Sequence, residues 1–264
     1  MKKILITIAL IFILLGGYLI NRLLTEEGDA PSIVPEAPTL IAPPTAERPA
    51  VVNPNRPESA SETKAITKTI KLDVPFVLQA PFGNWSDPIF QNACEEASIV
   101  MAMGWLKGTK TISPDEAQKQ ILEIVDFENK TFGYNTDTDA ADVARIFQQF
   151  FQWPNVATKE NITIADIKSE LQQGHLVILP VFGQALGNPN FTAPGPIAHM
   201  LPVIGYDPAT REFITNDPGT RRGANYRYTE RVLFDAIWNY GSGKDMPPAP
   251  TGVREKTMIV VTKE

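Results

Sequence analysis

The chain of 264 residues holds one cysteine and two histidines. A lone cysteine excludes an internal disulfide, and without a C-x-x-C pair the zinc-finger readings fall as well. Two histidines are too few for a multi-histidine metal centre, although a carboxylate site stays open; no metal and no other cofactor is expected. Positive charge is also in short supply. Lys and Arg number 24 against 30 Asp and Glu, a formal net charge of −6, so the basic footprint of a nucleic-acid binder is missing and no nucleic-acid partner is expected. There is no internal repeat and no Walker A motif, which excludes a nucleotide-driven transporter domain within this chain. What is present is ordinary for a globular protein: 43% hydrophobic and 20% charged residues, enough for a sizeable core.

Organisation along the chain is uneven. "MKK" precedes an uncharged run from Ile4 to Ile20, followed by Asn21, Arg22, Leu23 and Leu24. About 20 helical residues span the hydrocarbon core of a bilayer. The run reaches that length through Leu24 if Asn21 and Arg22 snorkel to the interface. Lys2 and Lys3 favour a cytoplasmic N-terminus and an exported remainder. No small-x-small cleavage site follows closely, so residues 1–24 are expected to be a transmembrane signal anchor, the chain being secreted if that segment is cleaved instead. Residues 25–65 are rich in Pro, Ala, Ser and Thr, with neither helical nor strand periodicity. Such a segment favours extended conformations and reads as a disordered tether.

Residues 66–264 read as a globular domain. Alternation from Ile66 to Leu72 signals a strand, which Pro75 and Pro81 demote to an edge. The stretch "QNACEEASIVMAMGWLKG" follows, with Asn92 as expected N-cap and Gly108 as stop. From Ala97 to Leu106 nearly every residue is apolar or small, so this helix is buried on most sides. A capping box (Ser113, Pro114, Glu116) starts a second helix, Thr138 or Asp139 a third, and Thr163 a fourth that ends at Gly174. Strands come later: "HLVILPVF", "AHMLPVIGYD", "REFITND" and "TMIVVTK". Helices first and strands afterwards give an α+β fold with an antiparallel sheet, the cysteine helix packed on it.

The chemistry gathers around Cys94. A free cysteine is usually a small buried hydrophobe, but a helix start presents unpaired N–H groups and partial positive charge that favour a thiolate. "AHMLPVIGYD" and "REFITND" flank the turn "DPAT" and are expected to pair antiparallel. Centred on Pro208, this hairpin sets Tyr206 opposite Thr210, Pro202 opposite Ile214 and His199 opposite Asp217. An error of two residues keeps His199 and Asp217 on one face; an error of one makes Asn216 the partner of His199. His175 follows Gly174 at a helix-to-strand junction and is expected to serve that helix end. Glu95 and Glu96 complement the helix dipole and are expected to take salt-bridge partners, yet their charge opposes a thiolate. An amine on a substrate is the other use for them. Three Asn-x-Ser/Thr sequons, at Asn129, Asn161 and Asn190, matter only in a glycosylating host.

Gln79, then Cys94 at a helix start, then His199 opening a strand and Asp217 ending the next resemble papain-like cysteine peptidases. The resemblance is nearest to the stand-alone bacterial domains of the peptidase C39-like family. "VPFVLQAPFGNW…NACEEAS", "GPIAHMLPVIGYD" and "FITNDPGT" carry it, from about Leu72 to Trp238. It implies a papain-like fold and a Cys94–His199–Asp217 triad. Gln79 would join the Cys94 N–H as oxyanion donor. The fourteen residues between Gln79 and Cys94 exceed the usual spacing, so "APFGNWSDPIFQNA" must fold back, and Gln91 is the alternative donor. Trp85 and the loop "GQALGNPNFTAPGP" would border the cleft. The expected substrate is a peptide or protein. A non-catalytic peptide-binding module, a cell-wall amidase and a transglutaminase-like enzyme are the competing readings.

Overall fold

The computed structural model describes residues 65–243 and 247–263. The expected anchor and all but the last residue of the Pro-rich segment lie outside them. Among the described residues no helix is long and apolar enough to cross a membrane.

The elements in order are β1 (Ile70–Lys71), α1 (Pro88–Gln91), α2 (Cys94–Leu106), α3 (Pro114–Thr131), α4 (Ala140–Gln149), β2 (Val156–Glu160), α5 (Ile164–Gln172), β3 (Leu176–Phe182), β4 (Ala198–Asp207), β5 (Glu212–Thr215), β6 (Tyr226–Thr229), α6 (Glu230–Ala236) and β7 (Thr257–Val261). A 3₁₀ turn, Gly183–Leu186, follows β3. The sheet is antiparallel throughout, in the order β2-β7-β3-β4-β5-β6, with β1 paired to the end of β4. The domain is therefore α+β, as its sequence pattern predicts.

Both faces of this sheet are covered, because β3, β4 and β7 carry apolar side chains at consecutive positions. On one face Ile178, Met200, Ile204 and Ile259 pack with α2, α3 and α4. On the other, Val177, Leu179, Leu201, Val203 and Val260 pack with α5 and α6. The residues of α2 are buried from Cys94 to Trp105, which is why its sequence lacks a polar stripe. Burying one Ile or Leu side chain there contributes about 1.5–3 kcal/mol.

Several expected boundaries shift for local reasons. Asp87 caps the short helix α1, accepting from the Ile89 N–H at 3.0 Å, with Pro88 at its first turn. Asn92 then closes α1, its Nδ2 donating to the Pro88 carbonyl at 3.0 Å, so Ala93 and not Asn92 is the N-cap of α2. Ser113 caps α3, accepting from the Glu116 N–H, but Glu116 does not complete the box; its carboxylate accepts from Gln120 instead. The complete capping box is at Thr163 and Asp166. Strands β2 and β6 and helix α6 are too short and mixed in polarity to stand out in the sequence.

Candidate active site

The hairpin β4–β5 decides where His199 and Asp217 meet. Its turn is longer than expected, so Tyr206 pairs with Phe213 and Asp207 with Glu212, three residues from the expected register. A bulge between Val203 and Gly205 takes one residue back, and Val203 pairs with Thr215. The net displacement of two preserves the face. His199 Nε2 lies 2.9 Å from Asp217 Oδ1, and both side chains are buried. Asn216 turns elsewhere: its Nδ2 donates to the Val74 carbonyl at 3.1 Å and its Oδ1 accepts from the Asn225 N–H.

Asp217 is gripped from every side. Oδ1 also accepts the Gly219 N–H at 3.0 Å, and Oδ2 accepts the Tyr228 hydroxyl at 2.7 Å, with Asn188 Nδ2 at 3.4 Å. Its backbone N–H donates to the Gly223 carbonyl at 2.9 Å. A Cβ on Gly223 would stand 1.8 Å from the Asp217 carbonyl oxygen, so only glycine permits this approach. Tyr228 and Asn188 were invisible as site residues in the sequence, the first because β6 is short, the second because it sits in an Asn-rich loop among similar residues. With Nε2–H donated to the carboxylate, Nδ1 is the nitrogen left with a lone pair.

Cys94 is the first residue of α2 and is buried. Ala93 has no side chain able to cap the helix, so no N-cap side chain claims the first-turn N–H groups. Ser98, one turn on, seats that end of the helix on β4. Its hydroxyl donates to the Cys94 carbonyl at 2.7 Å, with the Met200 carbonyl at 3.3 Å. The sulfur itself is bonded to Glu95: Sγ lies 3.0 Å from Oε2. The other oxygen of Glu95 accepts from the Tyr240 hydroxyl. The structure thus joins His199 to Asp217 but gives Cys94 a different partner. Strand alternation contributes to this. Ala198 and Met200 belong to the core around Cys94, whereas His199 lies between them in β4 and points with Leu201.

Gln79 folds back as its distance from Cys94 requires. Its Nε2 donates to the carbonyls of Phe90 (3.0 Å) and Gln91 (2.9 Å), and its backbone N–H donates to the Pro218 carbonyl at 3.1 Å. It therefore braces the end of α1 against the turn after Asp217. Gln79 and Gln91 line one cavity of about 620 Å³ together with Trp85, Phe191 and Gly219. Phe191 stands edge-on to the His199 ring at 5.4 Å, and a Cβ on Gly219 would lie 2.9 Å from His199 Cε1. One cleft thus runs from the residues just before Cys94 to those covering His199. His175 is elsewhere, its Nδ1 2.7 Å from Glu170 Oε2 at the end of α5, the structural role expected of it.

The sequence profile of the Peptidase C39 like family matches residues 71–246. The chain belongs to that family. No curated protein matches it. A crystal structure of a protein provisionally described as a C39-like peptidase, from Bacillus anthracis, is similar to this chain, with a TM-score of 0.47 and 15% identity. The match covers 75% of this chain and 98% of that one.

In this C39-like chain the acids beside the cysteine depart from expectation. Glu95 and Glu96 are each 1% exposed, and among the described residues no cation pairs with either. The reason is the all-round burial of α2: its first turn enters the core, where Glu96 shares a hydrogen bond with Glu128. Burial pushes all three carboxyls above the ordinary range, and mutual repulsion with Glu128 and Glu95 pushes Glu96 furthest. Burial first, then the charge and hydrogen bond of Glu95, also push the Cys94 thiol well up. Glu95→Gln removes the charge but keeps a polar side chain of the same shape. It is expected to lower the Cys94 pKa and to raise iodoacetamide labelling at neutral pH several-fold; unchanged labelling would show that burial alone sets the thiol.

A raised carboxyl pKa in the folded state has a definite sign. The stability linked to Glu96 and Glu128 is complete below the ordinary carboxylate range and is lost as pH rises through their folded values. Glu128→Gln is expected to reduce that alkaline loss. Melting temperatures of wild type and variant between acid and alkaline pH check this, and parallel profiles would contradict it.

Proposed function

We propose that the chain is a cysteine peptidase of papain-like fold that hydrolyses peptide amide bonds. Residues 1–24 hold it to a membrane, with residues 66–264 on the extracytoplasmic side. The observation that carries the peptidase reading is the buried His199–Asp217 pair beside a cleft that Gln79 and Gln91 also line. Membership of the C39-like family supports the same chemistry. The membrane reading rests on the uncharged run Ile4–Ile20 behind Lys2 and Lys3, and sedimentation with membranes after an alkaline wash tests it.

The steps follow from the groups present. Substrate enters, and the Cys94 side chain turns from Glu95 toward the imidazole. His199 Nδ1 takes the thiol proton while Sγ attacks the carbonyl carbon. Asp217 keeps Nε2–H donated, fixes the tautomer and steadies the imidazolium. The Cys94 N–H and Gln79 hold the oxyanion, Gln79 releasing one of its two carbonyl partners to do so. The C–N bond breaks, the imidazolium proton passes to the amine, and a thioester remains. Water, deprotonated by His199, then cleaves the thioester to a carboxylic acid and the free thiol.

Acid-quenched intact-mass analysis during turnover of a fluorogenic peptide mixture tests this reading. The expected result is a hydroxylamine-sensitive acyl adduct on Cys94. Absence of peptide cleavage, or cleavage indifferent to Cys94, overturns it. Gln79→Ala is expected to lower kcat about 10²-fold, and Gln91→Ala to leave it nearly unchanged; the reverse order would assign the oxyanion to Gln91. A second reading, a domain that binds peptides without cutting them, draws on the bond between the Cys94 sulfur and Glu95. It predicts binding with no adduct.

A further inference from the structure

The chain has an acidic excess, 30 Asp and Glu against 24 Lys and Arg, yet among the described residues no acidic side chain lines the cavity beside His199. Two arginines do, Arg221 and Arg222. The other guanidinium groups of the domain have partners. Arg145, Arg211 and Arg227 each have a carboxylate within 2.9 Å, Arg231 has one at 3.4 Å, and Arg254 donates to the Asp235 carbonyl at 2.6 Å. Among the described residues neither Arg221 nor Arg222 has an ion pair. Both are exposed, so water meets their charge when the cleft is empty.

Their placement is built into the site. They follow Asp217 by four and five residues, on the turn that Gln79 holds through the Pro218 carbonyl and that the Gly223 N–H closes on the Thr220 carbonyl at 3.1 Å. Arg221 is also seated on the opposite wall. Gly83 has φ of 76°, and a Cβ there would lie 2.3 Å from Arg221 Nη2. The bare glycine lets the guanidinium lie against the loop that carries Trp85, and a side chain there would push it aside. An unpaired guanidinium presents planar paired donors that match a carboxylate, and a cleft of one sign focuses its field on an approaching ligand.

We propose that this cleft selects peptides bearing a carboxylate, from an acidic side chain or a free chain end, and that Arg221 and Arg222 bind it. The proposal rests on the cleft being a peptide site but not on the thiol chemistry.

The test uses the full chain with Cys94→Ala, so that binding is read without turnover. Seven-residue amidated peptides carry Glu, Gln or Lys stepped through each position, and the Gln set is repeated as free acids. Isothermal titration calorimetry is expected to show at least one Glu position binding about tenfold tighter than its Gln counterpart in low salt, with Lys weaker still. The preference shrinks toward unity at high ionic strength. A gain confined to the free acids assigns the carboxylate to a chain end. Arg221→Gln with Arg222→Gln is expected to erase the preference while leaving the melting temperature unchanged; the paired Lys variants keep part of it, and Gly83→Ala weakens it by displacing Arg221. Equal binding of the Glu, Gln and Lys sets, no binding by any, or a preference that survives loss of both arginines overturns the proposal. Charge-selective binding without an acyl adduct would sink the peptidase reading alone, and an adduct without charge selectivity would sink this one alone.

Discussion

Cys94→Ala is expected to abolish peptide hydrolysis, a loss of at least about 10⁴-fold in kcat/KM, while leaving the domain folded. The two effects separate because of where the residue sits. Cys94 opens α2, and alanine is the best helix former. The side chain is small, so the void it leaves costs about 1 kcal/mol. Glu95 loses one partner but keeps the Tyr240 hydroxyl. Steady-state kinetics and a melting curve on one preparation check both halves. Turnover above about one hundredth of wild type would show that another group supplies the nucleophile.

His199→Ala is expected to lower kcat/KM about 10³-fold, and here stability changes as well. The substitution leaves Asp217 buried without its imidazole, at a cost of about 3 kcal/mol. In the wild type, burial raises the Asp217 pKa, but the charge and hydrogen bond of His199, with help from Tyr228 and the Gly219 N–H, outweigh it and hold the carboxyl below its ordinary value. A depressed carboxylate contributes stability that is present above the ordinary aspartate range and lost as pH falls through the folded value. Without His199 that loss begins at higher pH, so the acid unfolding midpoint moves up. Adding Asp217→Asn removes the stranded charge and is expected to restore part of the stability and none of the activity. If the single variant keeps wild-type turnover, His199 is not the base; if its acid midpoint does not move, the imidazole does not hold Asp217 as described.

The parts of this site that were legible in the sequence are those written in short-range pattern. The apolar run after Cys94 announced a helix buried all round. The strand runs "AHMLPVIGYD" and "REFITND" on either side of "DPAT" announced a hairpin, and period two kept His199 and Asp217 on one face although the turn is longer and a bulge intervenes. What stayed hidden depends on contacts between distant segments. Nothing local shows that Asn92 closes a preceding helix, or that β6 brings Tyr228 to Asp217. Glu95 and Glu96 read as helix-start acids with salt-bridge partners because nothing in their neighbourhood reveals that the first turn of α2 points into the core. Arg221 and Arg222 carry no local signal, and their place appears only when Gly83, on the far wall, is seen beside Arg221.

The central claim is that His199 activates Cys94 despite a resting bond to Glu95. The most direct measurement is the pH dependence of Cys94 alkylation in the full chain, wild type against His199→Ala, with melting curves as control. The account predicts that the wild type reacts at neutral pH at least about tenfold faster than the variant, which reacts appreciably only where an ordinary or elevated thiol ionises. Superimposable profiles for the two proteins would contradict it.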